Sequence, residues 1–125
     1  MPTPHEQLES MRNLRENWDG YGAAAPSDAV LDFAQVFVGF LEAAINKSSL
    51  GARTLHVSPT RVGGVLVEWD DTAMEHEVEI DPDLCLSFLH LQKATGQITT
   101  RSFSPGAPGA VDPGLLQEFL QLLAA

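Results

Sequence analysis

The sequence predicts an α+β fold: two N-terminal helices packed on a four- or five-stranded antiparallel meander sheet, followed by a C-terminal helix. Three observations predict it. Apolar residues recur at three- and four-residue intervals through the N-terminal third of the chain. From Arg53 onward the period changes to two. The strand-like runs are separated by links of a few residues, which join antiparallel neighbours but are too short for a parallel crossover. At 125 residues the chain is expected to form a single domain, with a helical part over 1–52, a sheet over 53–103, a Pro/Gly linker over 104–114 and a terminal helix over 112–124.

The first helix starts at Thr3-Pro4-His5-Glu6. Thr3 can cap, Pro4 suits the first helical position, and Glu6 completes a capping box. Leu8, Met11, Leu14 and Trp18 then keep helical spacing, which predicts a helix to about Glu16. A break over Asn17–Pro26 follows. Ser27 caps the second helix, and Asp28 sits in its first turn, where the helix dipole favours an acid. Val30, Phe33, Ala34, Phe37, Phe40, Leu41, Ala44 and Ile45 form one stripe, widened by Leu31 and Val38. A helix this apolar is expected at the centre of the core. It ends near Asn46–Gly51.

Five strands are expected after it. They cover Thr54–Ser58, Val65–Asp70, Met74–Asp81, Cys85–Lys93 and Ile98–Phe103. Turns at Val62-Gly63-Gly64, Asp70-Asp71-Thr72, Asp81-Pro82-Asp83 and Ala94-Thr95-Gly96-Gln97 separate them. Val65, Val67, Trp69, Val78 and Ile80 are expected to face Phe33, Phe37 and Leu41. The terminal helix carries Leu115, Leu116, Phe119, Leu120, Leu122 and Leu123 against one charge, Glu118, so it must dock on its own sheet or on a second copy, as in a homodimer.

The net charge is −10, from 17 acids against 7 Lys+Arg. Nucleic-acid binding requires a basic footprint, and anionic membranes repel such a chain. Neither nucleic acid nor membrane is therefore an expected partner, and no apolar run reaches the roughly 20 residues that cross a bilayer. The N-terminus has neither the basic nor the apolar region of a signal peptide. The single cysteine, Cys85, excludes an internal disulfide and fits a reducing compartment, so the expected location is cytoplasmic. Its apolar surroundings predict a buried, inert thiol.

Specificity concentrates in Asn17-Trp18-Asp19-Gly20-Tyr21-Gly22. The glycines permit backbone angles other residues avoid. Asn17 and Asp19 can bond nearby backbone, and Trp18 and Tyr21 supply apolar bulk with one polar handle each. These residues suit a tightly specified turn between the helices. They also suit a ligand pocket, with Trp18 and Tyr21 as walls and Asp19 as the charged contact. With Pro26-Ser27, Glu68-Trp69 and Val78-Glu79-Ile80, the stretch resembles a group of small bacterial proteins that share an Asn-Trp-Asp-Gly-Tyr-Gly/Ala motif. The resemblance covers roughly residues 10–90 and implies shared architecture, with no substrate or activity attached.

The second constellation is acidic. Between Arg61 and Lys93 there is no Lys or Arg, while Glu68, Asp70, Asp71, Glu75, Glu77, Glu79, Asp81 and Asp83 all lie there. Alternation places Glu75, Glu77, Glu79 and Asp81 on one face, and pairing of the second and third strands brings Glu68 and Asp70 beside them. Arg12, Arg15, Lys93 or Arg101 can relieve the repulsion. Such a stripe suits a solvated outer face, or a docking surface that steers a basic protein. Asp81-Pro82-Asp83 and Asp70-Asp71 lack the spacing of a calcium loop. His5, His56, His76 and His90 have no zinc spacing, and His76 shares a strand face with Met74, Val78 and Ile80, as a core or edge histidine would. No nucleophile elbow, Walker loop or dinucleotide fingerprint is present. The sequence therefore points to a non-enzymatic, cofactor-free interaction module, antitoxin-like or immunity-like, that binds a basic protein through Glu68, Asp70, Glu75, Glu77, Glu79 and Asp81. The alternative is a ligand-binding or catalytic domain built on Trp18, Asp19 and Tyr21.

Overall fold

The capping box at Thr3 forms as its sequence requires in the computed structural model, which describes residues 3–47, 55–70 and 74–103. The Glu6 amide donates to Thr3 Oγ1 at 3.1 Å, and the Thr3 amide donates to Glu6 Oε1 at 3.4 Å. They start helix α1, Pro4–Met11. This helix is shorter than the apolar spacing predicts, ending at Met11 and not near Glu16. Its end tightens to three-residue turns, with the amides of Arg12, Asn13 and Leu14 donating to the carbonyls of Glu9, Ser10 and Met11. The Arg15 guanidinium donates to the Arg12 and Leu14 carbonyls, so the chain end is satisfied without a further helical turn. Leu14 still packs on the core, but Trp18 falls in the following loop.

Helix α2 spans Asp28–Lys47, capped by Ser27, whose Oγ accepts from the Val30 amide at 3.2 Å. Val30, Leu31, Phe33, Ala34, Phe37, Val38 and Leu41 are buried, and the Phe33 and Phe37 rings stack 6.5 Å apart. Phe40 is a correction to the expected stripe: it is 46% exposed. At about 100° per residue, Leu31 and Val38 draw the buried arc to one side of Phe37 and leave Phe40 beyond its opposite margin. The side chains of Ala44 and Ile45 lie outside the described residues. Arg12 ties the helices together, reaching Glu9 at 3.1 Å, Asp28 at 3.0 Å and Asp32 at 2.6 Å. The hydrogen bonds it donates to Asp32, Glu9 and Asp28 hold its pKa above the ordinary guanidinium value.

Five strands form one antiparallel sheet in sequence order: β1 His56–Pro59, β2 Val65–Asp70, β3 Met74–Ile80, β4 Leu86–Gln92 and β5 Ile98–Phe103. β1 includes Pro59, which the sequence places just past the strand, while Thr54 lies outside the described residues. The Thr60 amide donates to the Gly64 carbonyl at 3.0 Å. Alternation along an antiparallel ladder then turns the Pro59 nitrogen to the open edge, where a missing N–H costs no ladder bond. Gly64 is needed at this hairpin: a Cβ there would drive into the Ile80 carbonyl. At the β3–β4 turn the Leu84 amide donates to the Asp81 carbonyl at 2.9 Å. Leu84 sits at φ 66°, and its side chain, 5% exposed, is anchored in the core. Burial of that side chain offsets the roughly 1–2 kcal/mol that left-handed backbone costs a non-glycine residue.

Val57, Val65, Val67, Trp69, Val78, Ile80, Leu86 and Phe88 form the inner sheet face and share one core with Phe33, Phe37 and Leu41. α1 packs on β1 and α2 on β2. Among the described residues no helix is long and apolar enough to cross a membrane. The expected linker and C-terminal helix lie outside the described residues.

Phe37 and Phe40 stand one turn apart with opposite surroundings. Phe37→Ala is expected to lower unfolding free energy by about 3–5 kcal/mol, as for other fully buried aromatics. Phe40→Gln should change it by less than about 1 kcal/mol. Urea melts of the two variants check this.

Candidate functional site

The glycine-rich break closes into a loop with its polar groups turned on itself. Asn17 takes φ 63°, and Gly20 and Gly22 take φ 79° and 85°. The Asn17 amide donates to the Ala23 carbonyl at 2.8 Å, and its Oδ1 accepts from the Gly22 amide at 2.6 Å. Asp19 Oδ1 accepts from the amides of Tyr21 and Ala23 at 2.8 and 3.1 Å. Asp19 Oδ2 accepts from Arg61 Nε at 2.9 Å, and Arg61 Nη2 donates to the Tyr21 carbonyl at 2.6 Å. The Trp18 indole donates to the Ala24 carbonyl at 2.9 Å. The Ala24 amide in turn donates to the Arg61 carbonyl, so the loop is stitched to the β1–β2 turn.

Partial burial pushes the Asp19 pKa up, but the Tyr21 and Ala23 amides and then the Arg61 guanidinium outweigh it and hold the carboxyl below its usual range. Trp18 is half-buried and Tyr21 is 82% exposed. Neither of the two hollows described below is lined by these three residues. Arg61 is the partner that sequence reasoning missed. Its only signal was position: a cation in the turn beside Gly63-Gly64, at the edge of the cation-free segment.

The acidic residues do converge. The β2–β3 register sets Glu68 directly opposite Glu77 and Asp70 directly opposite Glu75, with Glu79 next along the same face. Neighbouring positions on one face are about 7 Å apart along a strand and about 5 Å apart across strands. Glu75 is exposed and Glu68, Glu77 and Glu79 half-buried, while Val78 and Ile80 on the reverse face are fully buried. Asp81 follows the strand and begins the turn, with Oδ1 accepting from the amides of Asp83 and Cys85 at 2.9 and 3.0 Å. Lys93 Nζ meets Asp70 Oδ2 at 2.9 Å. Arg12 is engaged by acids of the two helices and Arg15 by carbonyls just past α1, and the Arg101 side chain lies outside the described residues.

A hollow of about 210 Å³ opens among His56, Glu68, Asp70, Glu75 and Glu77, and another of about 180 Å³ among Leu66, Glu77, Glu79, Ser87 and Thr100. Among the described residues no three His, Cys, Asp or Glu are placed to hold a metal ion. The face can therefore present closely spaced, fixed negative charge to a cationic partner.

On the reverse face, His76 is 5% exposed and its Nδ1 lies 2.8 Å from Nδ1 of His90. His76 stacks on Trp69 at 5.0 Å, and His90 meets Phe88 at 3.8 Å. Cys85 is half-buried in the turn before β4, with its amide on Asp81.

Because the Asp19 pKa is lower folded than unfolded, its ionisation stabilises the fold above the unfolded carboxyl value of about 3.9. That contribution disappears as pH falls through the folded value. Asp19→Asn keeps an acceptor for the two amides and loses the charge. Its urea midpoint is expected to fall below that of the wild type at pH 7 and to converge with it near pH 2. Equal midpoints at pH 7 would show that the charge contributes nothing. No family model matches the sequence, and no curated protein or solved structure is similar enough to match it.

Proposed function

We propose that this chain is a non-enzymatic interaction module whose outer sheet face docks a basic protein, in the manner of an antitoxin or immunity protein. The observation that carries the reading is the register of β2 on β3. It collects Glu68, Asp70, Glu75, Glu77 and Glu79 on one solvent-facing surface of a chain with net charge −10. Carboxylates directly opposite one another cost up to roughly 1 kcal/mol per pair in a sheet. A cationic partner removes that cost on binding and is steered to the face by its field.

The pocket reading at Trp18, Asp19 and Tyr21 has less support. Both Asp19 oxygens are engaged within the protein, and the Trp18 indole is bonded to backbone. The resemblance of residues 17–22 to other small bacterial proteins brings no substrate to that loop. The lone Cys85 suits a reducing setting, so the proposed location is the cytoplasm.

The test is a tagged capture from the native host, read by mass spectrometry at low and high salt, beside the triple variant Glu75→Lys, Glu77→Lys, Glu79→Lys. A basic protein recovered by the wild type at low salt, lost at high salt and lost with the variant is the expected result. Retention of every partner by the triple variant would end the proposal.

A further inference from the structure

The two open edges of the sheet differ. β1 has four residues, ends in Pro59 and is packed by α1. β5 has six, Ile98-Thr99-Thr100-Arg101-Ser102-Phe103, without proline or acid, and no described strand pairs with its outer side. The Gln92 amide donates to the Gln97 carbonyl at 2.9 Å, which marks 92 and 97 as a hydrogen-bonded pair. By alternation, residues 99, 101 and 103 bond β4, while the amides and carbonyls of Ile98, Thr100 and Ser102 point off the edge. A strand edge that no described strand pairs with is a template for another strand.

We propose that β5 pairs antiparallel with β5 of a second copy about a two-fold axis at Thr100, joining two sheets into one of ten strands. In this register Thr100 faces Thr100 of the copy, and Ile98 faces Ser102. All three residues have outward backbone groups, and each pair shares a face, so every open donor meets an acceptor. Charge selects the same edge. The carboxylates lie on β2 and β3, so β3 and its copy stand five strand spacings, about 24 Å, apart. That is several times the Debye length of about 8 Å at physiological salt. Stacking the outer faces instead would set Glu75, Glu77 and Glu79 about 10 Å from their counterparts. Ile98, 59% exposed beside Leu91, is carried into the joined surface. The acidic face stays open, so this pairing is independent of the proposed docking of a basic protein.

The test is the mass in solution of the full chain, by light scattering across a dilution series, with two kinds of variant. Thr100→Pro removes an N–H that points off the edge and leaves the β4 ladder intact. The wild type is expected at twice the monomer mass, and Thr100→Pro at the monomer mass with an unchanged circular dichroism spectrum. In a Cys85→Ser background, Thr100→Cys should form a disulfide-linked dimer on mild oxidation, because opposed residues lie within bridging distance. Thr99→Cys, which faces residue 101 of the copy, should not. The cysteine pair decides the matter if Thr100→Pro fails to fold. A monomeric wild type without the cross-link overturns the proposal. So does a dimer that survives Thr100→Pro but is lost on removal of residues 112–125.

Discussion

The strand Met74–Ile80 lies at the centre of the sheet and carries a carboxylate at every second position, and its register is the constraint to which the rest answers. With Val78 and Ile80 inward, the core is apolar and the acids reach water. A slip of one residue would exchange the two sets and bury Glu75, Glu77 and Glu79 beneath α2. Each buried, unpaired carboxylate would cost several kcal/mol or have to take up a proton. The acids therefore exclude the wrong register more strongly than any apolar contact selects the right one. β2 and β4 inherit their registers from this strand, and the helices pack on the face it leaves apolar.

Joining the helical part to that sheet falls to the loop after α1. Asp19 gathers the amides two and four residues onward, and Asp81 does the same at the β3–β4 turn. The device is local in both cases, since a short acid next to its own backbone closes a turn at little entropic cost. At Asp19 it also acts at long range, because the second oxygen holds Arg61 on the β1–β2 hairpin. A single carboxylate thus shapes a loop and fastens it to the sheet.

Much of this was legible from residue pattern. The capping box at Thr3, the Ser27 cap, the strands Val65–Asp70 and Ile98–Phe103 and the acid alternation of β3 all follow from local chemistry, which a sequence displays directly. The misses have tertiary causes. Helical spacing runs on through Leu14 and Trp18, but Arg12 is drawn to the acids of α2 and the chain turns before the pattern ends. Phe40 reads as core by periodicity alone, and only the lean of the buried arc toward Val38 exposes it. Arg61 and Asp19 are 42 residues apart, and nothing in their spacing pairs them. His76 and His90 could be matched only once the β3–β4 hairpin register was known.

That histidine pair has a consequence of its own. With the two Nδ1 atoms 2.8 Å apart, one proton serves both, so one ring donates while the other accepts. Two chemically identical side chains on neighbouring strands are thereby made unequal, one the donor and the other the acceptor of a single hydrogen bond.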